Sequence, residues 1–183
     1  MATTIVAYLL AAMIAWCPPE VHYYHQSNSK TNEEKSSDTI ERYESIAQDL
    51  SDVVMDVNQK PLFDGKDGRL KTALLELSIA SFESGQFRED VDTITPTGDH
   101  GASYCLMQVH LYDGETIKDR KECFRIGLDR IRESRKMCSF LRPDERLAAY
   151  ASGNCVVGLA NSVRKIKRAR SWLEEHPFFS LEE

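Results

Sequence analysis

The segment at residues 70–82, with the sequence LKTALLELSIASF, constrains the fold of this chain more than any other. Its apolar residues fall on most sides of a helix, so other elements must enclose that helix. A chain of 183 residues with 42% hydrophobic residues is long enough to bury a core around it. The segment therefore predicts a buried central helix, which Gly85 would close as a C-terminal glycine.

Helical spacing also marks segments on both sides of this central helix. Asp38 and Glu41 have the spacing of a capping box and predict a helix that starts at residue 39 and ends before Pro61. Further patterns predict a helix over residues 124–138 and a last one over residues 163–173. The last helix would turn Val163, Ile166, Trp172 and Leu173 inward, and Arg164, Lys165, Lys167, Arg168 and Arg170 largely outward.

The N-terminal part reads as an apolar segment followed by a linker. Residues 5–16 are largely apolar but fall short of the roughly 20 residues that span a bilayer, so no stable membrane span is expected. No Lys or Arg precedes them, which favours a core helix ended by Pro18 and Pro19 over a secretion signal, and both interpretations stay open. Residues 26–38 contain no apolar side chain. We therefore predict an N-terminal helix or signal-like segment (1–25), a polar linker (26–38) and one main domain (39–183).

Charge and motif content exclude several functional classes. With 29 acidic and 23 basic residues the net charge is -6, which argues against bulk binding of nucleic acid. The sequence contains no P-loop, dinucleotide fingerprint or Ser/His/Asp arrangement. His22 and His25 are spaced as HxxH without an evident third ligand, so neither a metal nor a cofactor is expected. The basic face of residues 164–170 would be solvated, or would meet an anionic cell-wall polymer or a virion partner.

Glu83 is the strongest catalytic candidate because it lies in the last turn of the predicted central helix. Burial against Phe82 and the negative end of the helix dipole both favour a neutral carboxyl there. Such a group can give its proton to the leaving oxygen of a glycosidic bond. Glu76 lies seven residues earlier on nearly the same helix face and is interpreted as a partly exposed structural carboxylate, or as a group that supports the site without contacting substrate.

Three short motifs follow one another in a recognisable order. Glu83-Ser84-Gly85-Gln86-Phe87 comes first, the segment GASYCLMQ at residues 101–108 second, and YASG at residues 150–153 third. This order resembles the soluble lytic transglycosylase family, whose catalytic domain is lysozyme-like and related to goose-type lysozyme. The resemblance covers residues 70–155, about half of the chain.

The resemblance implies a fold, a site and a reaction. The fold would be mainly α, a lysozyme-like helical domain with a small β-hairpin or irregular loop beside the active-site cleft. Glu83 would be the single catalytic acid/base, and the residues lining the sugar groove would be Ser84, Met107, Gln108 and Tyr150. The implied reaction cleaves the β-1,4 bond between N-acetylmuramic acid and N-acetylglucosamine of peptidoglycan strands, without a cofactor.

Three departures from the family pattern leave alternatives open. Cys105 stands where the family has a glycine, and Ala151 where it has an asparagine. The segment at residues 88–103 is longer than the family's hairpin and holds the polar residues Asp90, Asp92, Asp99 and His100. These acids are most simply interpreted as solvated loop residues, but one of the carboxylates could position water, so hydrolysis and transglycosylation both remain possible outcomes. The rival hypothesis is a non-catalytic structural or glycan-docking component of a phage particle or envelope machine.

The chain has five cysteines, so at least one lacks an intramolecular partner. The resemblance brings the segments of Cys105 and Cys155 together and implies a disulfide between them. Cys123 and Cys138 lie on one predicted helix, roughly 22 Å apart, and cannot bond to each other. Cys17 or Cys138 could meet Cys123 instead. Disulfides would indicate an extracytoplasmic protein that is periplasmic, secreted or virion-associated.

Overall fold

The computed structural model describes residues 2–25 and 29–178. Within these residues the chain is mainly helical with one small antiparallel sheet, as the sequence predicted. The α-helices are α1 (Ala2–Trp16), α2 (Asn32–Met55), α3 (Gly68–Glu83), α4 (Arg120–Met137), α5 (Ala148–Ser152) and α6 (Leu159–Glu175). The strands are β1 (Pro96–Gly98) and β2 (Ser103–Tyr104), and 3₁₀ helices cover Pro19–His25 and Glu89–Val91.

Helix α3 is the centre of the molecule, and this prediction is confirmed. Apart from Arg69 and Lys71, every residue from Gly68 to Ser81 is buried. The surrounding helices α1, α2, α4 and α6 all contact α3. Because burying a Leu or Ile side chain stabilises the fold by about 1.5–3 kcal/mol, this segment anchors the core. Gly85 follows the helix with a φ of +59°, a conformation that glycine adopts readily.

The N-terminal segment is a helix packed into the same core. Ile5, Leu9, Ala12 and Met13 of α1 are buried, and α1 packs against α2 and α3. These residues therefore form a core helix, and they belong to the same apolar cluster as the main domain. In the described part of the chain, no helix is both long and apolar enough to cross a membrane.

Residues 32–38 of the predicted linker belong to helix α2, so that part of the linker prediction and the predicted start of the helix are both wrong. Residues 26–28 lie outside the described residues, but α2 already begins at Asn32. Thr31 is its N-cap: the Thr31 hydroxyl accepts from the Glu34 backbone N–H, and the Glu34 carboxylate accepts from the Thr31 N–H. Asp38 instead pairs with Lys30 at 2.5 Å. The sequence holds two capping boxes, and the earlier one starts the helix because its first turns also pack against the protein.

The predicted disulfide between Cys105 and Cys155 is also wrong. Cys105 is bonded to Cys123 and Cys138 to Cys155, with Cα–Cα distances of 6.2 and 5.5 Å. Cys123 lies in the first turn of α4, and Cys138 directly follows the last residue of that helix. A different disulfide therefore links each end of α4 to the rest of the chain. The prediction that Cys123 and Cys138 do not bond to each other is confirmed. Cys17 is the remaining, buried thiol.

The small hairpin predicted between residues 88 and 103 is present. Strands β1 and β2 pair antiparallel around a turn at residues 99–102, and Tyr104 forms a further bridge with Val109. Asp99, His100 and Gly101 all have positive φ in this turn. The hairpin therefore makes a tight reversal that turns Asp99 toward the cleft described below.

Candidate functional site

A cleft of about 710 Å³ lies beside the C-terminal end of α3, and we call it the Glu83 cleft. The hairpin, the chain after it, α4 and α5 form its walls. Its polar and aromatic lining comprises Glu83, Asp99, Gln108, His110, Tyr112, Arg130, Glu133 and Tyr150. Glu83, Gln108 and Tyr150 come from the three separate sequence motifs, and the fold brings them together here.

Glu83 is the last residue of α3 and forms an ion pair with Lys165 of α6. The Lys165 ammonium contacts Oε1 of the carboxylate; the Lys165 side chain is 5% exposed and that of Glu83 is 23% exposed. The helix ends at this point because Gly85 turns the chain away, which leaves Glu83 at the cleft while its helix stays buried. The sequence predicted a neutral carboxyl without a cationic neighbour, and Lys165 is the feature it missed.

The predicted inward face of α6 is correct at Trp172 and off by one position at the other predicted residues. The buried residues of α6 are Ser162, Lys165, Ala169 and Trp172, whereas Val163, Ile166 and Leu173 are half-buried. Both sets have helical spacing, so apolar periodicity alone chose the wrong one. The small residues Ser162 and Ala169, seven positions apart, were the available signal, because close helix packing favours small side chains. The Ser78 hydroxyl donates to the Lys165 carbonyl at 2.8 Å and fixes α6 against α3.

Tyr150 links α5 to the motif of residues 101–108. Its hydroxyl donates to the Met107 carbonyl at 2.7 Å, and the Lys165 Nζ lies 5.4 Å from its ring centre. Burial raises the pKa of Tyr150 well above its usual value, and the nearby Glu83 carboxylate adds to that rise. The Tyr150 hydroxyl therefore stays a neutral donor.

Gln108 lines the opposite part of the cleft, in a left-handed backbone conformation with a φ of +46°. Its Nε2 donates to the Cys105 carbonyl at 2.8 Å. Its Oε1 lies against Gly98 of β1, where an added Cβ would come within 2.0 Å of that oxygen. Glycine at position 98 therefore makes room for the Gln108 side chain.

Ser84 and Met107, the other two residues assigned to the groove by resemblance, have side chains that do not line this cleft. The Ser84 hydroxyl donates to the Ala80 carbonyl at 2.6 Å and accepts from the Phe87 N–H at 2.8 Å, so it closes the end of α3. Met107 is fully buried and packs on Gly127, where an added Cβ would lie 2.7 Å from its Cε. Both support the walls of the site from behind.

Cys105, which stands where the family pattern has a glycine, adopts a backbone conformation that is typical of glycine. Cys105 has a φ of +57°, the left-handed region that glycine occupies most easily. Its side chain is held by the disulfide to Cys123. The structure describes no side chain at Ala151, where the second departure falls.

Asp99 is the one carboxylate of the long polar segment that lines the cleft. Asp90 pairs with Arg88, and Asp92 pairs with Arg42 and Arg120. Asp99 accepts a hydrogen bond from the Ser103 hydroxyl at 2.7 Å, and its Oδ2 lies 3.0 Å from Nε2 of His110. The hydrogen bond from Ser103 has the largest effect and the contact with His110 the next largest, and both lower the pKa of Asp99 below its usual value. Asp99 therefore remains ionised at neutral pH. The neighbouring His100 is exposed in the turn.

Glu76 lies in the core on α3, seven residues before Glu83. It is fully buried, and neither carboxyl oxygen has a hydrogen-bond partner among the described residues. Burial raises its pKa well above its usual value; Arg132 opposes that rise, and Asp129 adds to it. Glu76 is therefore a neutral acid inside the core at neutral pH, and the prediction of a partly exposed carboxylate is wrong.

We expect this buried acid to make stability depend on pH. In the unfolded chain Glu76 ionises near its ordinary value of 4.5, whereas the folded protein keeps it neutral. The stability that comes from keeping Glu76 neutral is therefore fully present below pH 4.5, and it is lost as the pH rises toward the raised pKa of Glu76 in the folded protein. Within that window the loss approaches about 1.4 kcal/mol per pH unit. Urea unfolding from pH 4.5 to 8 should show a shallower decline for Glu76→Gln than for the wild type, and an unchanged decline for the exposed Glu41→Gln. Equal slopes for wild type and Glu76→Gln would contradict this.

No group of three or more His, Cys, Asp or Glu side chains within residues 2–25 and 29–178 is arranged to hold a metal ion. His22 is buried, with Nε2 2.7 Å from the Tyr43 hydroxyl and 3.4 Å from the Cys17 sulfur. The side chain of His25 lies outside the described residues. His22 therefore belongs to a core hydrogen-bond cluster.

No protein-family model matches this chain, no curated protein sequence matches it, and no solved structure matches its fold. The relation to lytic transglycosylases thus stays a resemblance of motifs.

Proposed function

We propose that this chain cleaves the β-1,4 bond between N-acetylmuramic acid and N-acetylglucosamine in peptidoglycan, with Glu83 as its general acid/base. The observation that carries the proposal is the meeting of Glu83, Gln108 and Tyr150 on one polar cleft. A single carboxyl group at the end of a rigid, buried helix is well placed to hand a proton to a leaving oxygen.

The ion pair with Lys165 gives the Glu83 carboxyl a fixed orientation. Lys165 binds Oε1, and Oε2 has no hydrogen bond to any described residue. In the proposed reaction Oε2 faces the glycosidic oxygen, takes up a proton from solvent and passes that proton to the oxygen of the leaving sugar. The carboxylate that results is stabilised by the ammonium group and then takes a proton from the attacking hydroxyl.

The attacking group decides between two reactions of the same class. In a transglycosylase the 6-hydroxyl of the muramic acid attacks and gives a 1,6-anhydro end. In a hydrolase water attacks, and a second carboxylate orients it. Asp99 lines the same cleft and is ionised, which favours the hydrolase.

We expect purified protein to release muropeptides with reducing ends from peptidoglycan, detected by mass spectrometry. Asp99→Asn should lower their yield by about 100-fold, because the neutral amide orients the attacking water less effectively than the carboxylate does. The exposed Asp64→Asn should match the wild type. Anhydro ends, together with an active Asp99→Asn variant, would assign transglycosylation instead. Absence of any product from the wild type, in parallel with an inactive Glu83→Gln variant, would overturn the proposed cleavage.

We place this activity outside the cytoplasm. Two disulfides, Cys105–Cys123 and Cys138–Cys155, stabilise the walls of the cleft, and such bonds persist in oxidising compartments. Peptidoglycan strands, the proposed substrate, are found there as well. A periplasmic, secreted or virion-associated location fits both points.

A non-catalytic, glycan-docking component of a phage particle or envelope machine is the second candidate function. The observation that favours it is the Lys165 ammonium on Glu83, since a carboxylate committed to an ion pair can serve structure alone. This function predicts saturable binding of peptidoglycan fragments by the wild type, equal binding by Glu83→Gln, and no new ends in either sample.

A further inference from the structure

A second depression, which we call the basic groove, lies between α1, the end of α3 and α6. Its volume is about 660 Å³. It is lined by Ala15, Trp16, Phe82, Arg164, Lys167, Arg168, Ser171, Trp172, Glu175 and His176. Consecutive residues of α3 serve the two depressions: Phe82 lines the basic groove and Glu83 lines the Glu83 cleft.

The cations of the basic groove are not neutralised by an ion pair with a carboxylate of the described residues. Arg164, Lys167 and Arg168 form no ion pair with any residue in the described ranges, and neither does the adjacent Arg170. Cations elsewhere on the surface, such as Arg120, pair with carboxylates. One acid, Glu175, lies in the lining. The groove is therefore a local positive surface on a chain of net charge -6.

Aromatic rings form the floor of the groove and hold the guanidinium groups. Arg168 lies 4.2 Å from the ring centre of Phe82 and 5.5 Å from that of Trp16, and its Nη1 donates to the Ser81 hydroxyl at 2.8 Å. Arg164 lies 5.7 Å from the ring centre of Phe82. Since Trp172 is buried and Phe82 is covered by guanidinium groups, neither of these two rings offers an open stacking surface for bases. The groove presents positive charge outward.

We propose that the basic groove binds a linear phosphodiester polymer of the cell envelope, of the glycerol phosphate type. Arginine forks match the oxygens of a phosphate, and the aromatic floor orients these forks before binding. The cations lie on successive turns of α6, about 5.4 Å apart, which suits a polyanion with one charge in each short repeat. The choice of this polymer rests on the extracytoplasmic location proposed above, where such envelope polymers occur. This binding is independent of catalysis by Glu83.

The test measures binding of a synthetic glycerol phosphate oligomer by calorimetry at about 50 and 200 mM salt. The variant pair Arg164→Glu with Lys167→Glu reverses two exposed charges of the groove and leaves the packed Arg168 in place. Lys66→Glu with Lys118→Glu makes the same charge change at exposed positions outside the groove. We expect the groove variant to bind about tenfold or more weakly, and the control variant to bind like the wild type. Higher salt should weaken wild-type binding more than that of the groove variant.

Two competitors and one active-site variant make the outcome specific. Inorganic phosphate at the same phosphate concentration should not displace the oligomer, and a single-stranded oligonucleotide of equal charge should bind more weakly. Glu83→Gln should bind the oligomer normally, which separates this site from the proposed cleavage. Equal loss of binding in the groove and control variants, or tighter binding of the oligonucleotide, would overturn the proposal. Thermal melts of both double variants verify that the fold is retained.

Discussion

Glu83→Gln is expected to lower the rate of peptidoglycan cleavage by about a thousandfold. The amide has nearly the same shape and can still accept a hydrogen bond from Lys165, so the cleft keeps its form. It cannot hold or release the proton that the leaving sugar requires. The loss should therefore appear in kcat, measured from the release of muropeptides by wild-type and variant protein under identical conditions.

A control variant separates this chemical effect from a loss of structure. Glu44→Gln makes the same change on the exposed face of α2 and should retain wild-type cleavage. Thermal unfolding of Glu83→Gln should show a folded protein with at most a modest decrease in Tm. A Glu83→Gln variant that cleaves at the wild-type rate would remove Glu83 from the mechanism.

Lys165→Met is expected to lower the free energy of unfolding by about 2 kcal/mol and to reduce kcat with little change in KM. Methionine retains the length and apolar character of the lysine chain but leaves the Glu83 carboxylate without its cation. Removing one partner of a largely buried pair costs about 3–5 kcal/mol when both groups are enclosed. The partial exposure of Glu83 lets water replace some of that interaction, so the loss is smaller. Urea unfolding and initial-rate measurements test the two effects.

A double-mutant cycle decides whether Lys165 acts through Glu83. If it does, Lys165→Met should cost less stability in a Glu83→Gln background than in the wild type. The same change at the exposed Lys71 of α3 should alter neither stability nor kcat. Additive stability losses in the cycle, or a rise in KM at constant kcat, would show that Lys165 does not position the Glu83 carboxyl.

Several structural features were predictable because each depends on residues close together in the chain. The all-round apolar pattern of α3 requires enclosure, and the structure encloses it. The hairpin followed from a polar, turn-rich segment between a helix and a short apolar run. The start of α2 was predicted seven residues too late because Thr31 and Asp38 offer equivalent capping signals. Only the packing of Lys35 and Thr39, both buried, distinguishes them.

The site itself was predictable in part. Glu83, Gln108 and Tyr150 were named from motif order, and the structure places all three on one cleft. Ser84 and Met107 were named on the same grounds, yet their side chains point into the wall, since a motif fixes which residues are near a site and not how each side chain turns. Asp99 was one of three equivalent acids in the sequence, and only the turn of the hairpin separates it from Asp90 and Asp92.

The local order of apolar, polar and turn-forming residues thus establishes a mainly helical chain with a buried α3 that ends at Glu83. Contacts between distant residues decide the rest. The pairing of Cys105 with Cys123 and of Cys138 with Cys155 depends on where the two ends of α4 lie. The ion pair of Glu83 with Lys165 depends on a small rotation of α6 about its axis, which selects one of two equally periodic faces. The sequence pattern alone does not predict this rotation, because the rotation is set by the close packing of Ser162 and Ala169 on neighbouring elements.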